Sequence, residues 1–198
     1  RGLEWLEIEI IGKTAHGGIP EAGVNAIVNA AKLIMRIQEK IVPKLTERYC
    51  PSMGPSVMNF GRITGGTQPS TVAGSCIIQL DRRYTPTESV EQVIGEYQQI
   101  IDELHDEDPA FKAVLRRMPE NVMKYLDHIP MDTAEDAQIV QDVTDAISAV
   151  IGARPKITTR RGWTDAGLLS GYGGIPTVVC GPGDISFSHA KNEQIEVQ

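Results

Sequence analysis

Four segments of this 198-residue chain carry residue types whose spacing suits catalysis or binding. His189 follows a Gly181-Pro182-Gly183 loop and precedes Asn192 and Glu193. An imidazole in that setting can ligate a metal or act as an acid or base. A lone histidine near a chain end is more often a surface residue. His16 sits in Thr14-Ala15-His16-Gly17-Gly18, where the glycines let another surface approach the ring closely. The same glycines suit any tight loop. Arg82 and Arg83 end a strand pattern and must point to opposite faces. One can pair locally while the other offers a guanidinium fork to a carboxylate; a solvated edge arginine is the plain alternative. Gly162-Trp163-Thr164-Asp165 opens a short helix whose first N–H groups suit an anion, or whose start Asp165 caps. Arg160 and Arg161 flank that turn as a second anion-binding group or as an exposed pair. His105 and His128 are expected in a helix end and a linker, both facing solvent.

These side chains need elements to hold them. Leu6, Ile8 and Ile10 alternate with Glu7 and Glu9 as a half-buried strand. From Gly23 a helix pattern follows, with Ile27, Ala31, Ile34, Ile37 and Ile41 on its apolar face, ended near Pro43. Ser56–Thr64 and Ser75–Tyr84 read as strands around a Gly65-Gly66 turn. Thr85-Pro86-Thr87-Glu88 predicts a capping box opening a helix with Val90, Val93, Ile94, Tyr97, Ile100, Ile101 and Leu104 inward. Ala113–Arg117 is a fourth strand. The order β-α-β-β-α-β is the ferredoxin-like two-layer arrangement, spanning residues 1–118.

Residues 119–131 read as a linker. Thr133 and Asp136 then open a helix with Ile139, Val140, Val143, Ile147, Val150 and Ile151 on one side, ended at Gly152. A strand at Lys156–Thr159, a short helix to Ser170 and a buried strand Thr177–Cys180 complete an α/β pattern over 119–198.

Composition narrows the class. Hydrophobic residues make up 41% and charged residues 23%, with a net charge of −7. That is the profile of a globular domain, and it argues against nucleic acid as a partner. Three cysteines without a CxxC pair imply a reducing, cytoplasmic setting, with Cys180 as a core residue. No run is long enough to span a membrane and no signal peptide is visible. The chain opens directly into a strand, as a fragment or processed piece would.

Taken together, Gly12–Pro20 with Gly23-Val24-Asn25-Ala26-Ile27, Asp81-Arg82-Arg83, Gly162-Trp163-Thr164-Asp165-Ala166 and Gly181-Pro182-Gly183…His189…Asn192-Glu193 resemble the zinc-dependent aminoacylase and carboxypeptidase family. That family includes acetylornithine deacetylase, succinyl-diaminopimelate desuccinylase and glutamate carboxypeptidase. The resemblance covers essentially the whole chain, in order. It implies a dimerisation (lid) domain over 1–118 and the C-terminal portion of the catalytic domain over 119–198. It implies hydrolysis of the amide bond of N-acyl amino acids or small peptides with two zinc ions, or cobalt or manganese in their place, and a homodimer formed through the lid. In those terms His189 is a metal ligand. His16 reaches a partner's site and polarises the scissile carbonyl. Arg83 holds the substrate carboxylate, and Ser70, Gly162, Trp163 and Thr164 line the substrate.

Two positions depart from the family pattern. Ser70, 13 residues before Arg83, stands where the family usually has asparagine, and Trp163 stands where it has glycine. The family's His-x-Asp, bridging Asp and Glu-Glu motifs belong before the lid, where this sequence does not extend. A hydrolytic zinc site needs about three protein ligands per metal plus a base. The chain alone is therefore expected to be inactive and to hold zinc poorly. The alternative reading is a non-catalytic dimerisation or small-molecule-binding module of ferredoxin-like type.

Overall fold

The computed structural model describes residues 1–181 and 190–195. Strand β1 (Glu4–Ile11) alternates buried and half-buried side chains. Helix α1 (Ala26–Lys40) starts where the Asn25 side chain accepts the Ile27 and Val28 amides, which satisfies two orphan N–H donors. Helix α2 (Val42–Glu47) and a short β2 (Tyr49–Cys50), β3 (Gly54–Pro55) hairpin lead to β4 (Val57–Gly65) and β5 (Ser75–Arg83). Helix α3 (Val90–Glu107) and β6 (Lys112–Arg117) follow, then α4 (Gln138–Ile151) and α5 (Ala166–Gly171).

The four long strands lie in the order β4-β5-β1-β6, and every pairing is antiparallel. Two split β-α-β units interleave to give this order, and α1 and α3 cover one face. Leu6, Ile8, Ile10, Ile78, Leu33, Ile37, Val93 and Tyr97 are fully buried between the layers. The expected β-α-β-β-α-β arrangement is the one observed.

Local details differ from the sequence pattern in instructive ways. The face that α1 buries is Ala26, Ala30, Leu33 and Ile37, whereas Ile27 is 45% exposed. The small alanines let the helix lie close on the sheet, and that rotates Ile27 outward. The capping box of α3 forms at Ser89 and Gln92 rather than at Thr85 and Glu88. Glu88 is drawn inward to Arg82 and Arg48 instead. Helix α4 begins at Gln138 without a side-chain cap, because the Thr133 hydroxyl donates to the Thr177 carbonyl at 2.6 Å. Gly152, at φ 73°, ends α4 in the left-handed conformation that glycine tolerates best.

Neither Lys156–Thr159 nor Thr177–Cys180 forms a strand, and Cys180 is exposed. A strand needs a ladder partner, and among the described residues none runs beside either segment.

Candidate functional site

The segment carrying His16 is an extension of the sheet. Beyond β1, Gly12 N donates to Gly74 O, Lys13 pairs with Val24, and Val72 N donates to Ala15 O. His16 then bridges to Thr71, and Gly17 N donates to Ser70 O at 2.7 Å. A Cβ at Gly17 would stand 2.9 Å from that carbonyl oxygen, so glycine is what permits this approach. His16 and Ser70 thereby line one hollow of about 280 Å³, with Thr14, Ala15, Gln68 and Thr71.

The imidazole has a defined tautomer. Nδ1 of His16 accepts the Gly18 amide at 3.0 Å, so the neutral ring carries its proton on Nε2. The residue is exposed. It is built as an outward hydrogen-bond donor suited to a carbonyl oxygen.

Arg83 lies at the opposite end of β5. Its Nε donates to Asp81 Oδ2 at 2.9 Å, an interaction that leaves the two η nitrogens as a fork for a carboxylate. Arg82 points to the other face and is fully buried against Glu88. The parity of the two arginines was legible in the sequence; which one stays accessible is decided by the helices. From Ser75 to Arg83 is roughly 25 Å of strand at about 3.3 Å per residue. Ser70 is therefore a neighbour of His16 and not of Arg83. One small substrate cannot touch both ends of the same sheet.

The Arg83 end gathers the turn after Arg161. Burial first, then the charges of Arg161 and Arg83, pull the Arg1 guanidinium below its ordinary pKa, so each of those two arginines lies within electrostatic reach of Arg1. Trp163 does not stand free over this site. Its indole Nε1 donates to Ile129 O at 3.0 Å, and its ring meets the edge of His128 at 4.3 Å between centroids. Thr164 accepts the Gly167 amide through its carbonyl, and Asp165 makes no side-chain cap. Gly162 lies in the bend before them.

Residues 127–129, expected as linker, are bonded on both sides. Asp127 pairs with Arg117 at 2.7 Å, and its amide donates to the Tyr172 hydroxyl at 2.9 Å. The His128 carbonyl accepts Leu3 N and the Tyr84 hydroxyl. Arg117 also holds the fully buried Glu4 in a two-point pair at 2.8 and 2.7 Å. Burial pushes the Glu4 carboxyl up, against the pull of Arg117. His128 is half-buried rather than exposed. Burial first, then the Arg117 charge, holds it below the ordinary histidine value. No local signal marks these residues in the sequence, because the contacts to Leu3, Tyr84, Trp163 and Tyr172 come from segments far along the chain.

A second hollow, of about 420 Å³, lies between α1 and α3. Its Arg36–Glu107 and Lys32–Asp108 charges pair with each other, which makes it a structural groove. His189 lies outside the described residues. Among the described residues no three His, Cys, Asp or Glu side chains converge, so these residues do not by themselves fit the two-zinc centre the resemblance implies. No described helix is long and apolar enough to cross a membrane.

Residues 1–109 match the M20 peptidase dimerisation domain. The acetylornithine deacetylase of Myxococcus xanthus is 29% identical over 202 residues, covering 100% of this chain and 49% of the relative. The N-formyl-4-amino-5-aminomethyl-2-methylpyrimidine deformylase of Halalkalibacterium halodurans is 28% identical, covering 92% of this chain and 44% of the relative. Among solved structures, a tripeptidase of Staphylococcus aureus aligns with a TM-score of 0.63 at 21% identity, over 88% of this chain and 42% of its own. The aminopeptidase PepT of Bacillus cereus aligns with a TM-score of 0.61 at 26% identity, over 87% and 41%. The chain thus spans about half the length of the curated relatives it matches.

Proposed function

We propose, from the premise that this chain belongs to the M20 peptidase dimerisation family, that it is the lid (1–118) and second catalytic portion (119–198) of a longer amide hydrolase. The substrate class is an N-acyl amino acid or small peptide with a free carboxylate. The relatives' names support this class, since a deacetylase, a deformylase and a tripeptidase all break an amide bond. A metal ion, zinc first among the candidates, would polarise the amide and activate water. His189 of this chain is one candidate ligand, and the remaining ligands would come from the longer protein. Cys50 and Cys76, buried as thiols, suit a reducing compartment such as the cytoplasm.

The observation that carries the reading is the separation of the two polar ends. His16, with its proton on Nε2, can donate to a carbonyl oxygen as charge develops there. The η edge of Arg83 can hold the carboxylate that orients the same substrate. These tasks sit at opposite ends of one sheet, so a shared substrate needs Arg83 from one subunit and His16 from a second copy. A homodimer through the lid supplies that. Ser70, beside His16, would then act from the same side as His16. Gly162 and Thr164, near the Arg83 end, would border the substrate together with Trp163.

The test is subunit complementation in the longer parent protein, assayed on N-acetyl, N-formyl and N-succinyl amino acids and on tripeptides. His16→Ala alone and Arg83→Met alone should each lose activity by about a hundredfold. Mixed and re-associated, they should recover roughly a quarter of wild-type activity, because random pairing leaves one intact site in half the dimers. A mixture as inactive as its components would reject the cross-subunit assignment. A parent that hydrolyses none of these substrates would leave the non-catalytic module as the better reading.

A further inference from the structure

We infer that Arg82 and Glu88 form a positioning pair that holds the main chain of Arg83 in place for carboxylate binding, an inference resting on the reading of Arg83 given above. Arg82 is fully buried, with its Nη2 paired to Glu88. Its Nη1 donates to the carbonyl of Arg83 itself at 2.8 Å, and more weakly to Val57 O at 3.5 Å. Val57 is the ladder partner of Arg83 on β4. One guanidinium therefore ties the binding residue and its neighbouring strand from beneath.

Glu88 extends the tie. Its carboxylate, with a side chain 3% exposed, also accepts Arg48 Nη1 at 2.8 Å, the Thr85 amide at 3.3 Å and the Ser56 hydroxyl. Ser56 precedes β4 and Thr85 follows Arg83, so the chain on either side of the Arg83–Val57 rung is anchored to one carboxylate. Arg48 is itself held by Glu96 of α3.

Stability alone does not call for this arrangement. The preceding inward positions of β5 are Cys76, Ile78 and Leu80, all buried and apolar. An apolar residue at 82 would continue that face, and replacing buried ion pairs by apolar residues is often neutral or stabilising. Nε of Arg82 is buried without a hydrogen-bond partner, a further cost of placing a guanidinium there. What the pair adds is geometry. Just past Arg83, Tyr84 pairs with Gly2 through both backbone bonds, and the Arg82–Glu88 pair fixes the same strand end from the β4 side. The side chain of Arg83, on the opposite face, inherits its direction from that fixed backbone and from Asp81.

The test uses the longer parent and two substrates: an N-acyl amino acid that it hydrolyses and the carboxamide of the same compound. Arg82→Met and Glu88→Gln should each raise KM for the carboxylate substrate by about tenfold, the scale of one charge-assisted hydrogen bond. The expected kcat stays within about twofold, and KM for the carboxamide does not move. Glu88→Gln keeps the volume and one acceptor, so it reports even where Arg82→Met fails to fold. Assays run below each variant's melting midpoint. Arg83→Met is the control. If Arg83→Met erases the preference for carboxylate while both other variants leave it intact, or shift both substrates alike, the positioning role is wrong. If Arg83→Met itself leaves the preference intact, the assignment of Arg83 fails instead.

Discussion

Helices α1 and α4 carry similar apolar patterns and meet different fates. In α1, Ala30, Leu33 and Ile37 are fully buried against the sheet and α3. In α4, Val150 is 85% and Ile151 60% exposed, and Val140 is the one buried hydrophobic side chain after residue 118 among the described residues. Leu169, Ile175 and Val179 are likewise about half exposed, at 51%, 54% and 52%. The contrast shows that an apolar face records that something packs there, not that the packing element belongs to the same stretch of chain. Residues 1–118 contain both layers of their core. The described residues after 118 leave many of their large apolar side chains open, and we propose that the portion of the longer relatives that this chain does not span covers them.

Core substitutions give the largest effect that can break this comparison. Leu33→Ala or Ile78→Ala should cost about 3 kcal/mol, the usual result of a cavity at a filled site. Val150→Ala or Ile151→Ala should cost less than about 0.5 kcal/mol in this chain, as surface changes do. Urea unfolding measures both. Equal losses at the two sites would show that α4 is packed after all. In the longer parent, Val150→Ala should become costly.

Thiol labelling sharpens the comparison next. Cys180 is exposed, whereas Cys50 and Cys76 are buried, and burial also pushes the Cys76 thiol up. A thiol-reactive dye should therefore modify one cysteine quickly in the native chain, identified as Cys180 by mass spectrometry. The longer parent should protect it. Rapid labelling in both would mean that the 177–180 segment stays uncovered.

Acidification, the smallest effect, probes the join between the regions. His128 lies below its ordinary value of 6.5, so the unfolded chain binds that proton more tightly. Its contribution is fully present above 6.5 and is lost as pH falls through and below that value. Glu4 acts oppositely: its raised carboxyl favours folding below the ordinary 4.5, and that benefit fades as pH rises through its folded value. Both groups shift toward the range between 4.5 and 6.5, so the informative quantity is the difference between wild type and His128→Phe, which keeps a ring against Trp163. The wild-type melting midpoint should fall relative to the variant between about pH 7 and 5. Parallel curves would remove His128 from the join.

Local order explains what could be read without the structure. The alternation of β1, the apolar face of α3 and the αL stop at Gly152 all depend on neighbours within a few residues, and all appear where expected. The capping box did not: Ser89 and Gln92 form it because Glu88 is held by Arg48 and Arg82, and Arg48 lies 40 residues away in sequence. His128 reads as a solvated linker residue in the sequence and is half-buried in the structure, because Leu3, Tyr84 and Trp163 reach it from distant segments.

The candidate site divides along the same line. The amino-acid sequence by itself determined the ferredoxin-like element order, the opposite directions of Arg82 and Arg83, and the glycines beside His16, because periodicity and steric freedom are properties of short stretches. Only the tertiary structure decided that Arg82 is the buried one, that Ser70 joins His16, and that a strand's length separates both from Arg83. Those outcomes depend on which sheet face the helices cover and on antiparallel register, and both are set by contacts between residues far apart in the chain.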